Sequence, residues 1–172
     1  NRFKVYPDLI TMAKGITNAT VPMGAVGATS EIYNSIYKKN KDTIELFHGY
    51  TYSGHPLACA AGLATLEVYE EEKLFKRARS LEKYFGDRIH SLSRLNMVRD
   101  IRNIGLVAGI EIAERTKEPM TLGRDIFEES FENGLMVRFT GNTIALSPPL
   151  IVSKDQIDII VEKLERAIKK VF

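Results

Sequence analysis

A single cysteine stands in this chain of 172 residues. Cys59 cannot close an intrachain disulfide, which fits a reducing, cytoplasmic compartment. Long apolar runs are missing too: none approaches the ~20 residues of a membrane span, and the first residues carry no signal-peptide pattern. Charge of one sign is not in excess. Lys and Arg number 24 against 22 Asp and Glu, a net charge of +2, with no basic stripe for nucleic acid. Histidine is scarce, and His48, His55 and His90 show no metal-ligand spacing with Cys59. No Ser/His/Asp set, Walker-type phosphate loop, low-complexity segment or repeat is present. What remains, 44% hydrophobic and 27% charged residues, is the composition of a globular chain. Its length suffices for one core or a little more.

The patterning predicts alternating strands and helices. Residues 9–13 and 24–28 read as short apolar strands joined by a loop containing Asn18 and Pro22. Ser30 is placed to cap a short helix near Glu31–Tyr37. The segment 49–55 has no helical period and glycines near both ends, and Pro56 suits the first position of a helix. Leu57–Tyr69 is alanine-rich and apolar on most sides, which predicts a buried helix. Leu74, Ala78, Leu81, Phe85, Ile89 and Leu92 recur at three- and four-residue steps, an amphipathic helix that joins two domains. Strands follow at 98–101 and 106–112, then a helix near 123–133 ended by Gly134. A hairpin is predicted at 135–139 and 143–147, and Ser153-Lys154-Asp155-Gln156 is a capping box for the last helix. The domains read as 1–72, part of a larger α/β domain; 73–91, the interdomain helix; and 92–172, a small α/β domain with a mainly antiparallel sheet.

Chemistry concentrates at three places. Lys14 ends an apolar strand and is followed at once by Gly15. A strand end beside a flexible turn can hold an amine in a pocket, burial lowers a lysine's pKa, and a neutral amine attacks carbonyls. The plain alternative is a lysine pointing into water at a strand edge. Thr51 sits among Gly49, Tyr50 and Gly54, where small residues let backbone approach an oxyanion and a hydroxyl adds a donor; a loop leading into the Pro56 helix explains the same residues. Arg138 lies between Val137 and Phe139, and its fork can grip a carboxylate at two points, or it is a surface arginine of a hairpin. Arg102 reads as a salt-bridge partner, and Cys59 as a small core residue.

Taken in order, Pro7–Ile16 around Lys14, Pro22-Met23-Gly24-Ala25, Phe47–Pro56 around Thr51, and Leu135–Leu150 around Arg138 resemble the class III, fold-type I aminotransferases. Within these they are most similar to the omega-amino acid–pyruvate group. The resemblance implies that Lys14 carries pyridoxal 5'-phosphate covalently and then serves as the base that moves the substrate proton. It implies that Thr51, with Gly49 and Tyr50, binds the cofactor phosphate of a neighbouring subunit, hence a homodimer or larger assembly with shared active sites. It implies that Arg138 binds the carboxylate of pyruvate. Enzymes for ornithine and 4-aminobutyrate carry their arginine a few residues later, where this chain has Ala145, and that departure points to pyruvate. A 7,8-diaminopelargonate aminotransferase is the alternative within the family, and a partner-binding domain the alternative outside it. The resemblance also places the aspartate beneath the pyridine nitrogen and the ring-stacking aromatic upstream of Asn1, so the chain is expected to be a C-terminal portion, inactive alone.

Overall fold

The computed structural model describes residues 2–37, 46, 48, 51–113 and 121–172. They form two compact units, 1–72 and 73–172.

In the first unit β1 (Leu9–Ala13) pairs antiparallel with β2 (Gly24–Ala28), Leu9 facing Ala28 and Ala13 facing Gly24. The small residues of β2 allow a close approach: a Cβ at Gly27 would lie 3.0 Å from Ile10. Helix α1 (Ser30–Tyr37) is capped one residue earlier than its sequence suggests. Thr29 Oγ1 accepts the Ile32 N–H at 3.5 Å, and the Thr29 carbonyl accepts that of Tyr33 at 3.0 Å, so Ser30 is already helical. Helix α2 (Pro56–Glu71) begins with proline at its first turn, where a missing N–H costs nothing. The expectation of a buried α2 is not met. Only Ala58 and Gly62 are buried, while Leu57, Leu63 and Leu66 remain more than half exposed. Apolar composition demands a covering surface, and a two-stranded hairpin is too narrow to enclose a helix that is apolar on most sides.

The second unit is a four-stranded antiparallel sheet in the order β3-β4-β6-β5, with helices on one face. Its elements are α3 (Leu74–His90), β3 (Val98–Ile104), β4 (Val107–Ile112), α4 (Leu122–Glu132), β5 (Arg138–Thr140), β6 (Thr143–Leu146) and α5 (Lys154–Val171). Alternation buries Ala108, Ile110, Ile112, Ile144 and Leu146 against Phe85 and Ile89 of α3, Ile126 of α4, and Ile157, Leu164 and Ile168 of α5. Thus α3, expected to connect domains, supplies core to this unit. The capping box of α5 forms as the sequence signals: Ser153 Oγ accepts from Gln156 N at 3.1 Å, and Gln156 Oε1 from Ser153 N at 2.9 Å. Gly134, at φ 73°, closes α4. Strand β5 is shorter than predicted, because Leu135 and Val137 enter the core ahead of the ladder. Among the described residues, no helix is long and apolar enough to cross a membrane.

Polar contacts tie the helices together. Arg77 donates to the carbonyls of Leu150, Ile151 and Val152 at 2.7–3.2 Å, fastening the segment after β6 to α3. The Tyr84 hydroxyl lies 2.8 Å from both Asp158 oxygens, and Arg88 Nε donates to Oδ1 at 2.6 Å. The Tyr84 hydroxyl, then Arg88, hold the Asp158 carboxyl below its ordinary range; Lys169 and Arg94 do the same for Glu165, and Lys170 and Asn133 for Glu129. A depressed carboxylate contributes stability that is complete above its unfolded pKa and is lost as pH falls through its folded one. The melting temperature of the unit should therefore drop as pH falls below about 4. Asp158→Asn should flatten part of that slope; a variant melting profile parallel to the wild type across this range would remove Asp158 from the account.

Candidate active site

β1 ends at Ala13, and the chain enters a short 3-10 turn, Lys14–Ile16. Lys14, Asn18 and Ala19 take φ of 55°, 49° and 56°. Left-handed backbone costs a residue with a Cβ about 1–2 kcal/mol, and persists only where the surroundings over-determine it. Here they do. The Lys14 carbonyl accepts the N–H of Ala19 at 2.9 Å and of Thr17 at 3.3 Å. The Gly15 carbonyl accepts the hydroxyl of Tyr69, a residue of α2, at 2.7 Å. Thr17, buried, donates its hydroxyl to the Val21 carbonyl at 2.7 Å. Glycine at 15 suits this closeness, since a Cβ would stand 3.3 Å from the Tyr69 hydroxyl. The backbone of Lys14 is thus pinned at its own carbonyl and at that of Gly15, while its side chain is exposed, with no ion-pair or hydrogen-bond partner among the described residues.

That placement differs from a lysine enclosed in a pocket. The first unit does have a large, mainly apolar concavity of about 1380 Å³, which Met12, Tyr33, Tyr37, Tyr52 and His55 help to line. Among the described residues, neither Lys14 nor Thr51 lines it. Thr51 is exposed and opens the turn at 51–54 that leads into α2. There Gly54 takes φ 70°, and the Tyr52 carbonyl accepts the His55 N–H at 3.2 Å. Gly49 and Tyr50 lie outside the described residues. Cys59, half-buried on α2, borders the concavity.

Arg138 belongs to the second unit. It opens β5 opposite Ala145 of β6, whose β4 neighbour Gly109 is paired in turn with Arg102 of β3. Residues directly opposite share a face, so Arg102, Gly109, Ala145 and Arg138 form one row across the face away from Ile110 and Ile144. Glycine and alanine stand between its two arginines, and the Arg102 side chain lies over Gly109, where a Cβ would be 3.6 Å from its Nε. Arg102 is engaged, with Asp100 at 2.7 Å and Glu111 at 3.4 Å, as expected for a salt bridge. Arg88, Arg94, Arg99, Arg124 and Arg166 of this unit also face carboxylates. Arg138 is exposed and has no such partner among the described residues.

Sequence reading overlooked Tyr69 and Thr17. Nothing local signals Tyr69, which meets Gly15 from 54 residues away.

Comparison with known proteins converges on one family. The class III aminotransferase family model matches residues 1–168. The chain is 56% identical over 170 residues to an omega-aminotransferase of Caulobacter vibrioides, covering 99% of this chain and 39% of that protein. It is 38% identical to a beta-alanine–pyruvate aminotransferase of Pseudomonas aeruginosa, over 96% of this chain and 38% of the relative. A crystal structure of a thermostable (S)-enantioselective omega-transaminase from Thermomicrobium roseum superposes with a TM-score of 0.90 at 32% identity, over 99% of this chain and 39% of that one. The chain therefore spans about two fifths of the length of the relatives it matches. The likeness also fixes the fold: an α/β portion of the pyridoxal-phosphate-dependent transferase fold, in a family that uses this cofactor.

The residues present fit that cofactor. Its aldehyde calls for a primary amine, which Lys14 offers exposed on an immobilised turn. Its phosphate calls for hydroxyl donors, and Thr51 carries an exposed hydroxyl. If the turn owes its rigidity to Tyr69, Tyr69→Phe should cost about 1 kcal/mol of local stability. Amide exchange across residues 14–20 should then accelerate about fivefold in the complete enzyme. Unchanged exchange would show that the remaining bonds hold the turn alone.

Proposed function

The chain belongs to the class III aminotransferases, and from that premise we propose that it is part of an enzyme transferring an amino group to pyruvate. The donor is an omega-amino acid such as β-alanine, or a related primary amine. The observation that carries this reading is Lys14: a lysine in left-handed backbone, pinned at its own carbonyl and at Gly15, whose amine has no partner among the described residues. Strain of this kind gathers where backbone must be aimed.

When bound, pyridoxal phosphate supplies an electron sink for the negative charge left on the carbon that loses its proton. Lys14 anchors the cofactor through its amine. The same amine, tethered to the turn, would act as general base and acid for the substrate proton. Thr51, with Gly49 and Tyr50, holds the phosphate of the partner protomer, which makes the working unit a homodimer. Arg138 receives the acceptor carboxylate. That no carboxylate meets it among the described residues supports this role, because a guanidinium already paired would have to give up one carboxylate to take another. Ala145, its neighbour in the row, offers no competing charge.

Lys14→Ala in the complete enzyme should abolish steady-state transamination, and borohydride treatment should no longer fix cofactor to the protein. Near wild-type turnover in the variant would refute the assignment. For Arg138→Ala, truncating one partner of a desolvated ion pair costs roughly 2–5 kcal/mol. kcat/KM for pyruvate should thus fall by about one and a half to nearly four orders of magnitude. The half-reaction with an amine donor lacking a carboxylate should change little. Equal losses in both halves, or a wild-type preference for 2-oxoglutarate, would count against pyruvate as the acceptor.

A further inference from the structure

The β5–β6 turn rests directly on the start of α4. Gly141 takes φ 56° at the first position of a two-residue turn, with Thr140 paired to Thr143 on either side. Its carbonyl meets the backbone of Gly123, the second residue of α4. A Cβ built at Gly123 would fall within the Gly141 carbonyl oxygen, 3.1 Å from its carbon and 3.3 Å from the Phe139 ring. The Gly123 N–H points to Asn142 Oδ1 at 3.4 Å, and the Phe139 ring packs on Phe127 of α4 at 5.6 Å. No residue with a Cβ fits at 123 without moving the backbone of the turn.

We propose that Gly123 is a positioning residue for the acceptor carboxylate: its bare backbone lets α4 seat the Gly141 turn, and that seat fixes where Arg138 presents its guanidinium. This inference rests on the reading of Arg138 given above. The β5–β6 ladder holds only the pairs Thr140–Thr143, Phe139–Ile144 and Arg138–Ala145. A displacement of the tip therefore reaches Arg138 within three residues. The core face cannot absorb it cheaply, since Ile144 is fully buried and Phe139 is wedged against α4. Two-point recognition of a carboxylate is sensitive to such shifts, and a misplacement of 1 Å can cost about a hundredfold.

The test compares Gly123→Ala, Arg138→Ala and the double variant in the complete, cofactor-loaded enzyme, with the two half-reactions followed in single turnover. Gly123→Ala should weaken apparent pyruvate affinity about tenfold or more. The limiting rate with a carboxylate-free amine donor should stay within about twofold, a split that general loss of fold would not produce. The double variant should lose little beyond Arg138→Ala alone, because both changes act through the same guanidinium. Should Gly123→Ala not fold, Asn142→Ala removes only the side-chain contact to the Gly123 N–H. It should shift pyruvate affinity in the same direction by about threefold. Equal losses in both half-reactions, losses that multiply in the double variant, or an unmoved pyruvate affinity in whichever variant folds would overturn the positioning role while leaving the Arg138 reading intact. If Arg138→Ala itself spares pyruvate, the acceptor reading fails and this inference falls with it.

Discussion

Pairing register is the constraint on which the second unit depends. Side chains alternate faces along a strand, so a slip of one residue would turn Ile110, Ile144 and Leu146 out to solvent and carry Arg138 into the core. Two tight turns prevent this. Gly105, at φ 55°, closes β3 onto β4, with Ile104 facing Val107, and Gly141 closes β5 onto β6. In both, the left-handed position falls on a residue without a Cβ, so the register is set without backbone strain. The same registers that bury the isoleucines place Arg102, Gly109, Ala145 and Arg138 in one row on the opposite face. Core and candidate site are thus two readings of a single alignment of strands.

The hairpin turns of the sheet and the Lys14 turn use glycine and strain in opposite ways. In the sheet, glycine stands at the left-handed turns. In the Lys14 turn, left-handed geometry falls on lysine, asparagine and alanine, and is held by hydrogen bonds from Ala19, Tyr69 and Thr17. A glycine at 14 would relieve the backbone and remove the amine. Chemistry and conformation compete at that position, and the surrounding bonds offset the conformational cost.

Much of this was legible in the sequence where the determinant is local. The β1 and β2 strands, the helix start at Pro56, the Ser153–Gln156 capping box and the Gly134 terminator each rest on a few adjacent residues whose chemistry admits few alternatives. The site was legible differently: Lys14, Thr51 and Arg138 stood out through ordered motifs resembling a family, since a lysine or arginine at a strand end is by itself unremarkable. What was not legible is long-range. Thr29 displaced Ser30 as the cap, its side chain and carbonyl both receiving N–H groups of the helix while its own N–H is held by the Asp8 carbonyl, 21 residues back. The exposure of Leu57, Leu63 and Leu66 depends on what stands opposite them, and periodicity does not report that. Gly123 read only as part of a helix start, because the carbonyl that forbids a side chain there arrives from Gly141.

The bond from Tyr69 to Gly15 carries a further consequence, in the order of assembly. Its partners are 54 residues apart, so it forms only after a long loop has closed, at an entropic cost on the order of a few kcal/mol. The Lys14 backbone cannot rest in its left-handed geometry on local propensity alone. The contact with Tyr69 is therefore among the later ones to form in its unit, and it loosens when α2 frays. Order at the Lys14 turn then reports on α2 as well, because the Tyr69 hydroxyl bond to Gly15 joins the two.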